Sequence, residues 1–165
     1  MSEDGASAQA RPAEPGDLQA LTELYGECTR ELAAMRGGPV LMGSGRGTAV
    51  DAVRSSFELQ LGAAGAMIVV SPAPGEGAPV GYASCSEYRL DDGRGIAALG
   101  ELYVLPSYRR QGRGRALTRA VMDWAARRGC TGIDGSALPG NRAVKSFFES
   151  EGFTARLLVM HRPVD

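Results

Sequence analysis

Residues 99–128 constrain the fold most, because they place a strand, a tight basic turn and an amphipathic helix in one stretch. An apolar, β-prone run from Leu99 ends at Pro106. A polar segment follows, and apolar residues then recur at helical spacing from Ala116 until Gly129. A strand that feeds a helix through a glycine-rich turn predicts a mixed α/β architecture.

The turn itself has the composition of an anion-binding site. Gly112 and Gly114 flank an arginine at the start of the helix, and glycine lets main chain come close to a ligand. The first N–H groups of a helix lack an intrahelical partner, and the helix dipole adds positive potential there. Four arginines add formal charge: Arg109, Arg110, Arg113 and Arg115. A diphosphate suits this geometry best, and a solvated basic turn is the alternative.

Two blocks of sequence resemble the GNAT superfamily of N-acyltransferases. One block, similar to the family's acetyl-CoA signature, is Arg109-x-x-Gly112-x-Gly114 after Leu102-Tyr103-Val104-x-Pro106. The other block is similar to the family's helix along the pantetheine arm and contains Asn141, Ala143, Phe147-Phe148 and Glu151-Gly152-Phe153. A weaker N-terminal match at 11–18 is similar to the family's first strand and helix start, and the resemblance covers about residues 8–163.

The resemblance implies an N-acetyltransferase that transfers an acetyl group from acetyl-CoA to a primary amine by direct attack in a ternary complex. The acceptor is then a small amine, an amino acid, an aminoglycoside-like antibiotic or a protein N-terminus. The residues expected to bind the cofactor are Leu102, Tyr103, Val104, Arg109, Arg110, Gln111, Gly112, Arg113, Gly114, Arg115, Asn141 and Phe148.

Glu101 is the first candidate catalytic residue. A carboxylate amid the apolar neighbours of a strand needs a partner or a cavity. Strand alternation places it on one face with Leu99 and Tyr103, opposite Leu102 and Val104. An alkylammonium must lose a proton before it attacks a thioester, and in the family an acidic residue near this point often acts as general base. A structural or substrate-orienting role is the alternative.

The position of the family's tyrosine proton donor is occupied by Phe148, which has no proton to give. Either the thiolate leaves unassisted or another residue donates, with Tyr103, Tyr88 and Ser146 as candidates. We take Tyr103 as the second catalytic candidate. A second hypothesis for function follows from Phe148, namely a non-catalytic acyl-CoA-binding or regulatory module with the same fold. Asn141 is interpreted as a helix N-cap or as a contact to the pantetheine amides.

Composition narrows the remaining function classes. A net charge of −1 argues against a third hypothesis, nucleic-acid binding through the arginine cluster. Three dispersed cysteines and a single histidine, His161, predict reduced thiols and no metal site. We find no membrane-span pattern and no signal peptide, so we expect a cytoplasmic protein, and we also expect that it can form a homodimer.

The order of elements predicts one fold. Residues 1–7 are expected to be disordered and residues 8–165 to form a single domain. The predicted order is strand, two helices, a three-strand meander, helix, strand, helix and a last strand at 153–160. Asp17 is the predicted N-cap of the first helix and Thr48 of the second, with a mobile loop at 37–47 as lid over the acceptor. The predicted class is α/β (α+β), with a mixed, mostly antiparallel sheet and helices on both faces.

Overall fold

A five-stranded sheet lies at the centre of the fold, and the computed structural model describes residues 9–46, 50–75 and 77–164 of the chain. The strands are β1 (Arg11–Pro12), β2 (Ala66–Pro72), β3 (Pro79–Arg89), β4 (Gly95–Val104) and β5 (Cys130–Gly135), and they lie side by side in that order. The first four pair antiparallel, while β5 pairs parallel with β4. The predicted meander and the predicted mixed, mostly antiparallel sheet are confirmed.

Helices cover both faces of the sheet, as predicted. They are α1 (Leu18–Ala33), α2 (Gly38–Leu41), α3 (Val50–Gly62), α4 (Arg113–Arg127) and α5 (Arg142–Ser150). Helices α1 and α3 pack on one face through a core that includes Leu21, Phe57 and Tyr82. Helices α4 and α5 pack on the opposite face, where Leu117 and Phe148 are buried. None of the helices in the described ranges combines the length and apolarity needed to cross a lipid bilayer.

A bulge in β4 changes which side chains share a face. Ser84 pairs with Glu101 while Cys85 pairs with Leu99, so Gly100 is an extra residue on β4. One extra residue reverses the alternation beyond it. Leu99 therefore packs in the α4 core, whereas Glu101 bonds to the α1-side residue Tyr82. The expectation that Leu99 shares a face with Glu101 is wrong.

Two predictions about local structure, one for a loop and one for a strand, differ from the structure. Most of the expected mobile loop at 37–47 is helical, because α2 runs directly into a π-helical turn at Met42–Arg46. The expected last strand at 153–160 is absent from the described part of the chain: these residues pair with no strand there, and the side chains from Leu157 to Met160 are largely exposed. Thr48 and residues 1–7 lie outside the described residues.

Asp17 holds the N-terminal segment rather than capping α1. Its carboxylate makes no cap hydrogen bond to that helix. It accepts hydrogen bonds from Arg11 Nη1 at 2.7 Å and Nη2 at 2.9 Å, and from the Glu14 N–H at 2.9 Å. The Arg11 guanidinium holds the pKa of this buried carboxyl below its usual range. The side chain therefore ties β1 to the turn that precedes α1.

Replacement of Asp17 by asparagine tests this contribution. We expect Asp17→Asn to lower the free energy of unfolding at pH 7 by about 2 kcal/mol, because a buried charged acceptor is lost. A carboxyl whose pKa is lower in the folded state stabilises the fold above its unfolded pKa, so the loss should shrink as the pH falls below about 4. Urea unfolding at several pH values measures this loss of free energy and its dependence on pH.

The matched control is Asp92→Asn. Asp92 pairs with Arg94 at 2.8 Å, but both side chains are more than half exposed, at 52% and 59%. Exposed ion pairs contribute less than about 1 kcal/mol. An equal loss in the two variants, or a pH-independent loss for Asp17→Asn, would contradict the role given to Asp17.

Candidate active site

The two parallel strands, β4 and β5, stop pairing partway along β4, and a cleft opens there. The last paired residues are Leu99 on β4 and Gly135 on β5. Beyond them, residues 100–104 and 136–138 line opposite walls of a cleft of about 850 Å³. The main chain of β4 beyond Leu99 thus has no partner on β5, so an extended ligand rich in amide groups can take that place.

The remaining walls of this cleft come from four parts of the chain. Helix α1 and α2 supply one side, the turn before α4 a second, and α5 a third. The lining residues from these parts are Cys28, Glu31, Leu32, Met35, Leu41, Arg109, Arg110, Gly112, Arg113, Gly114, Arg115, Asn141, Ala143, Val144 and Phe147. Leu41, from the expected acceptor lid, therefore lies in the wall of this cleft.

The turn before α4 places a glycine at the helix start, where the sequence predicts one. Gly112 is the N-cap residue at φ +75°, and Arg110 also has a positive φ, at +60°. The first intrahelical bond runs from the Ala116 N–H to the Gly112 carbonyl. The N–H groups of residues 113–115 precede it at the positive end of the helix, in a turn that lines the cleft. An anionic group of a ligand fits there.

Two of the four arginines bond to other groups of the protein. Arg113 is buried, and its Nη1 donates to Ser71 Oγ at 2.8 Å and to the Pro72 carbonyl at 2.6 Å. Arg115 pairs with Glu151 at 2.8 Å. Arg110, by contrast, is exposed and makes no ion pair with any described residue. Among these four arginines, Arg110 is thus the one whose guanidinium makes no hydrogen bond or ion pair with a described residue.

Arg109 belongs to a network that joins α1 to β4. Its guanidinium donates to both carboxylate oxygens of Glu31, each at 2.9 Å, and to the Val104 carbonyl at 2.7 Å. The Tyr103 hydroxyl donates to the same carboxylate at 2.6 Å. Burial and this hydrogen bond raise the pKa of Tyr103, so its phenol keeps its proton at neutral pH. Glu31 thereby holds two lining side chains in one arrangement.

A second cavity, of about 620 Å³, lies on the α1 and α3 side of the sheet. It is lined by Tyr25, Ala52, Val53, Ser56, Phe57, Gln60, Ser84, Cys85, Ser86, Ala98, Gly100 and Glu101. Gly100 and Glu101 line the larger cleft as well. The bulge thus puts one carboxylate where the two cavities adjoin. Tyr82 donates to Glu101 Oε2 at 2.6 Å, which orients that carboxylate.

Ten of the twelve residues expected to bind the cofactor line the larger cleft, and Gln111 and Phe148 do not. Phe148 is buried in the α4 core, and its ring packs on Phe153 and beside Gly135. Phe147 lines the cleft instead. The Asn141 cap is confirmed, because its Oδ1 accepts from the Val144 N–H at 3.2 Å.

Of the three candidate proton donors only Tyr103 lines the cleft. Tyr88 donates instead to Asp134 at 2.6 Å. Sequence analysis missed Glu31, on α1, and Met35, just beyond the end of α1, because the helical pattern gives no sign that they face a ligand. It also missed residues 136–138, although a segment that directly follows a strand parallel to β4 is a usable signal.

Comparison with known proteins identifies relatives. The model of the acetyltransferase (GNAT) family matches residues 19–153. An aminoglycoside N(6')-acetyltransferase type 1 from Klebsiella aerogenes is 38% identical over 92 residues, which are 54% of this chain and 60% of that protein. The matched region therefore spans less than two thirds of the length of that relative.

Solved structures share the fold across nearly the whole chain. The aminoglycoside N-acetyltransferase AAC(6')-Iy, solved in complex with CoA, superposes with a TM-score of 0.75 at 21% identity over 99% of both chains. An acetyltransferase from Trypanosoma brucei superposes with a TM-score of 0.68 at 23% identity, over 94% of this chain and 99% of that one. At these identities the likeness concerns the fold.

The left-handed turn at the cleft is open to a direct test. We expect Gly112→Ala to lower the free energy of unfolding by about 1–2 kcal/mol, because an alanine Cβ is strained at positive φ. Gly26→Ala, in the interior of α1 where a Cβ meets nothing within 4 Å, should instead raise stability by about 1 kcal/mol. Urea unfolding measures both, and a stability gain in both variants would refute the strained turn.

Proposed function

The chain belongs to the acetyltransferase (GNAT) family, and from this premise we propose that it transfers an acetyl group from acetyl-CoA to a primary amine by direct attack in a ternary complex. The observation that carries the proposal is the meeting of the two cavities at Gly100 and Glu101. One cavity takes the thioester and the other takes the amine, so the reactants approach each other across a single carboxylate.

The larger cleft suits the long, amide-bearing arm and the diphosphate of acetyl-CoA. The N–H groups at the start of α4, together with Arg110, bind the diphosphate. The main chain of residues 102–104, which has no β5 partner, pairs with the amides of the arm. An N–H of this strand also donates to the thioester oxygen as negative charge develops on it.

Glu101 acts as general base in this proposal. It accepts a proton from the bound ammonium, directly or through water, and the free amine then attacks the thioester carbon. The C–N bond forms, the C–S bond breaks, and the electron pair of that bond leaves with sulfur, while the positively charged nitrogen gives up its remaining extra proton to solvent. Tyr103 is the proposed proton donor to the thiolate, because its phenol lines the same cleft.

The contribution of the diphosphate is tested on the ligand, which leaves the protein unchanged. We expect acetyl-pantetheine, which lacks the diphosphate and nucleotide, to bind on the order of 100-fold more weakly than acetyl-CoA, because charged hydrogen bonds are lost. Calorimetry with both ligands measures this ratio. Equal affinities would rule out the turn before α4 as the anion site.

The role of Glu101 is tested by Glu101→Gln. We expect kcat/KM at pH 7 to fall about 100-fold or more, because the amine no longer has a base within reach. The deficit should narrow as the pH approaches about 10, where an alkylamine loses its proton to solvent. Thiol release across this pH range measures both effects.

Two outcomes of that assay argue against the assignments. A wild-type rate retained by Glu101→Gln at pH 7 would remove Glu101 as the base. Tight acetyl-CoA binding by the unchanged protein, without thiol release for any amine in a broad panel, would favour the non-catalytic acyl-CoA-binding module.

A further inference from the structure

The charge in the described wall of the smaller cavity comes from a single side chain. Among the described residues that line it, Glu101 is the only one with a charge. The other polar groups in the wall are the neutral side chains of Tyr25, Ser56, Gln60, Ser84, Cys85 and Ser86. A cation that leaves water for such a cavity needs a carboxylate partner. The cavity therefore offers a partner to one ammonium group.

Other acidic residues of the described chain do not supply further partners. On α3, which forms one wall, Asp51 and Glu58 are exposed and do not line the cavity. Glu58 pairs with Arg54 at 3.3 Å. On α1, Glu31 lines the other cleft and is bonded by Arg109 and Tyr103. A ligand with several ammonium groups would bury the additional charges beside neutral groups.

The same wall disfavours an anionic ligand. The described lining includes no lysine and no arginine. A carboxylate or phosphate on the acceptor would thus lack a counterion and would be repelled by Glu101. Amino acids with a free carboxylate and phosphorylated amino sugars are disfavoured for this reason.

The remaining surface of the cavity is mixed in character. Tyr25 and Phe57 line it and meet edge to face, with ring centroids 6.2 Å apart. Aromatic rings offer an apolar surface, while the serine hydroxyls and the Gln60 amide form hydrogen bonds with neutral groups. A body that carries hydroxyls and an apolar face matches both kinds of surface.

We propose that the acceptor is a primary amine with a single positive charge on an uncharged, hydroxyl-bearing body, selected by one carboxylate in an otherwise neutral cavity. This inference rests on the proposed function and narrows its acceptor. It separates this chain from an enzyme whose acceptors are polycationic aminoglycosides.

Matched amines test the inference. Tyramine and tyrosine differ by a carboxylate, glucosamine and glucosamine 6-phosphate differ by a phosphate, and kanamycin is a polycation. We expect kcat/KM for tyramine and glucosamine to exceed that for tyrosine, glucosamine 6-phosphate and kanamycin by about tenfold or more, the factor that corresponds to 1.4 kcal/mol. Thiol release with acetyl-CoA at constant ionic strength measures the five values.

A charge introduced into the wall gives the complementary test. Gln60→Glu keeps the side-chain shape and adds a second carboxylate to the cavity, so it should raise the kanamycin-to-tyramine ratio of kcat/KM about tenfold. The control is Gln19→Glu, which adds the same charge at an exposed position of α1 outside the cavity. That ratio should stay unchanged in the control.

Affinity gives a readout that does not depend on turnover. Calorimetry of each amine with the CoA-bound protein should show the same preference for the singly charged amines. Tighter binding or faster acetylation of kanamycin than of tyramine and glucosamine overturns this inference and leaves the proposed function standing. An absence of thiol release with every amine, beside tighter binding of the singly charged ones, supports the charge preference and overturns the proposed function.

Discussion

The separation of β4 from β5 beyond Leu99 and Gly135 is the constraint on which the rest of the site depends. While the strands pair, their main-chain groups are used within the sheet. Where they separate, those of β4 line a cleft. The bulge at Gly100 lies at the same point and turns Glu101 toward the opposite face. One irregularity in the sheet thereby opens the cleft and brings a carboxylate to its junction with the second cavity.

The four arginines at the turn before α4 divide between structural roles and a proposed binding role. Arg109, Arg113 and Arg115 are held by carboxylates, a hydroxyl or main-chain carbonyls, which fixes the ends of β2, β4 and α5 around the turn. The proposed anion site then consists mainly of oriented N–H groups, which lose little entropy on binding because the helix already holds them. Of the four arginines at this turn, only Arg110 makes no hydrogen bond or ion pair with a described residue.

Features that depend on neighbouring residues were predictable. The glycine at the start of α4 and the Asn141 cap follow from local main-chain chemistry, and the sequence motifs predict both. Features that depend on distant residues could not be predicted from the sequence. Glu31 lies 78 positions before Arg109 along the chain, so no local pattern reports their contact. Phe148 likewise packs inward because Gly135 leaves room for its ring.

The sequence by itself determined the mixed sheet, its meander, the glycine turn and the family, since periodicity and short-range conformational preferences are encoded within a few residues. The tertiary structure alone decided that Leu99 and Glu101 lie on opposite faces and that three arginines serve as internal partners. It also decided the charge of the second cavity. The position of an inserted residue in a strand is fixed only when distant segments pack together. The same holds for the side chains that α1 and α3 pack against that strand.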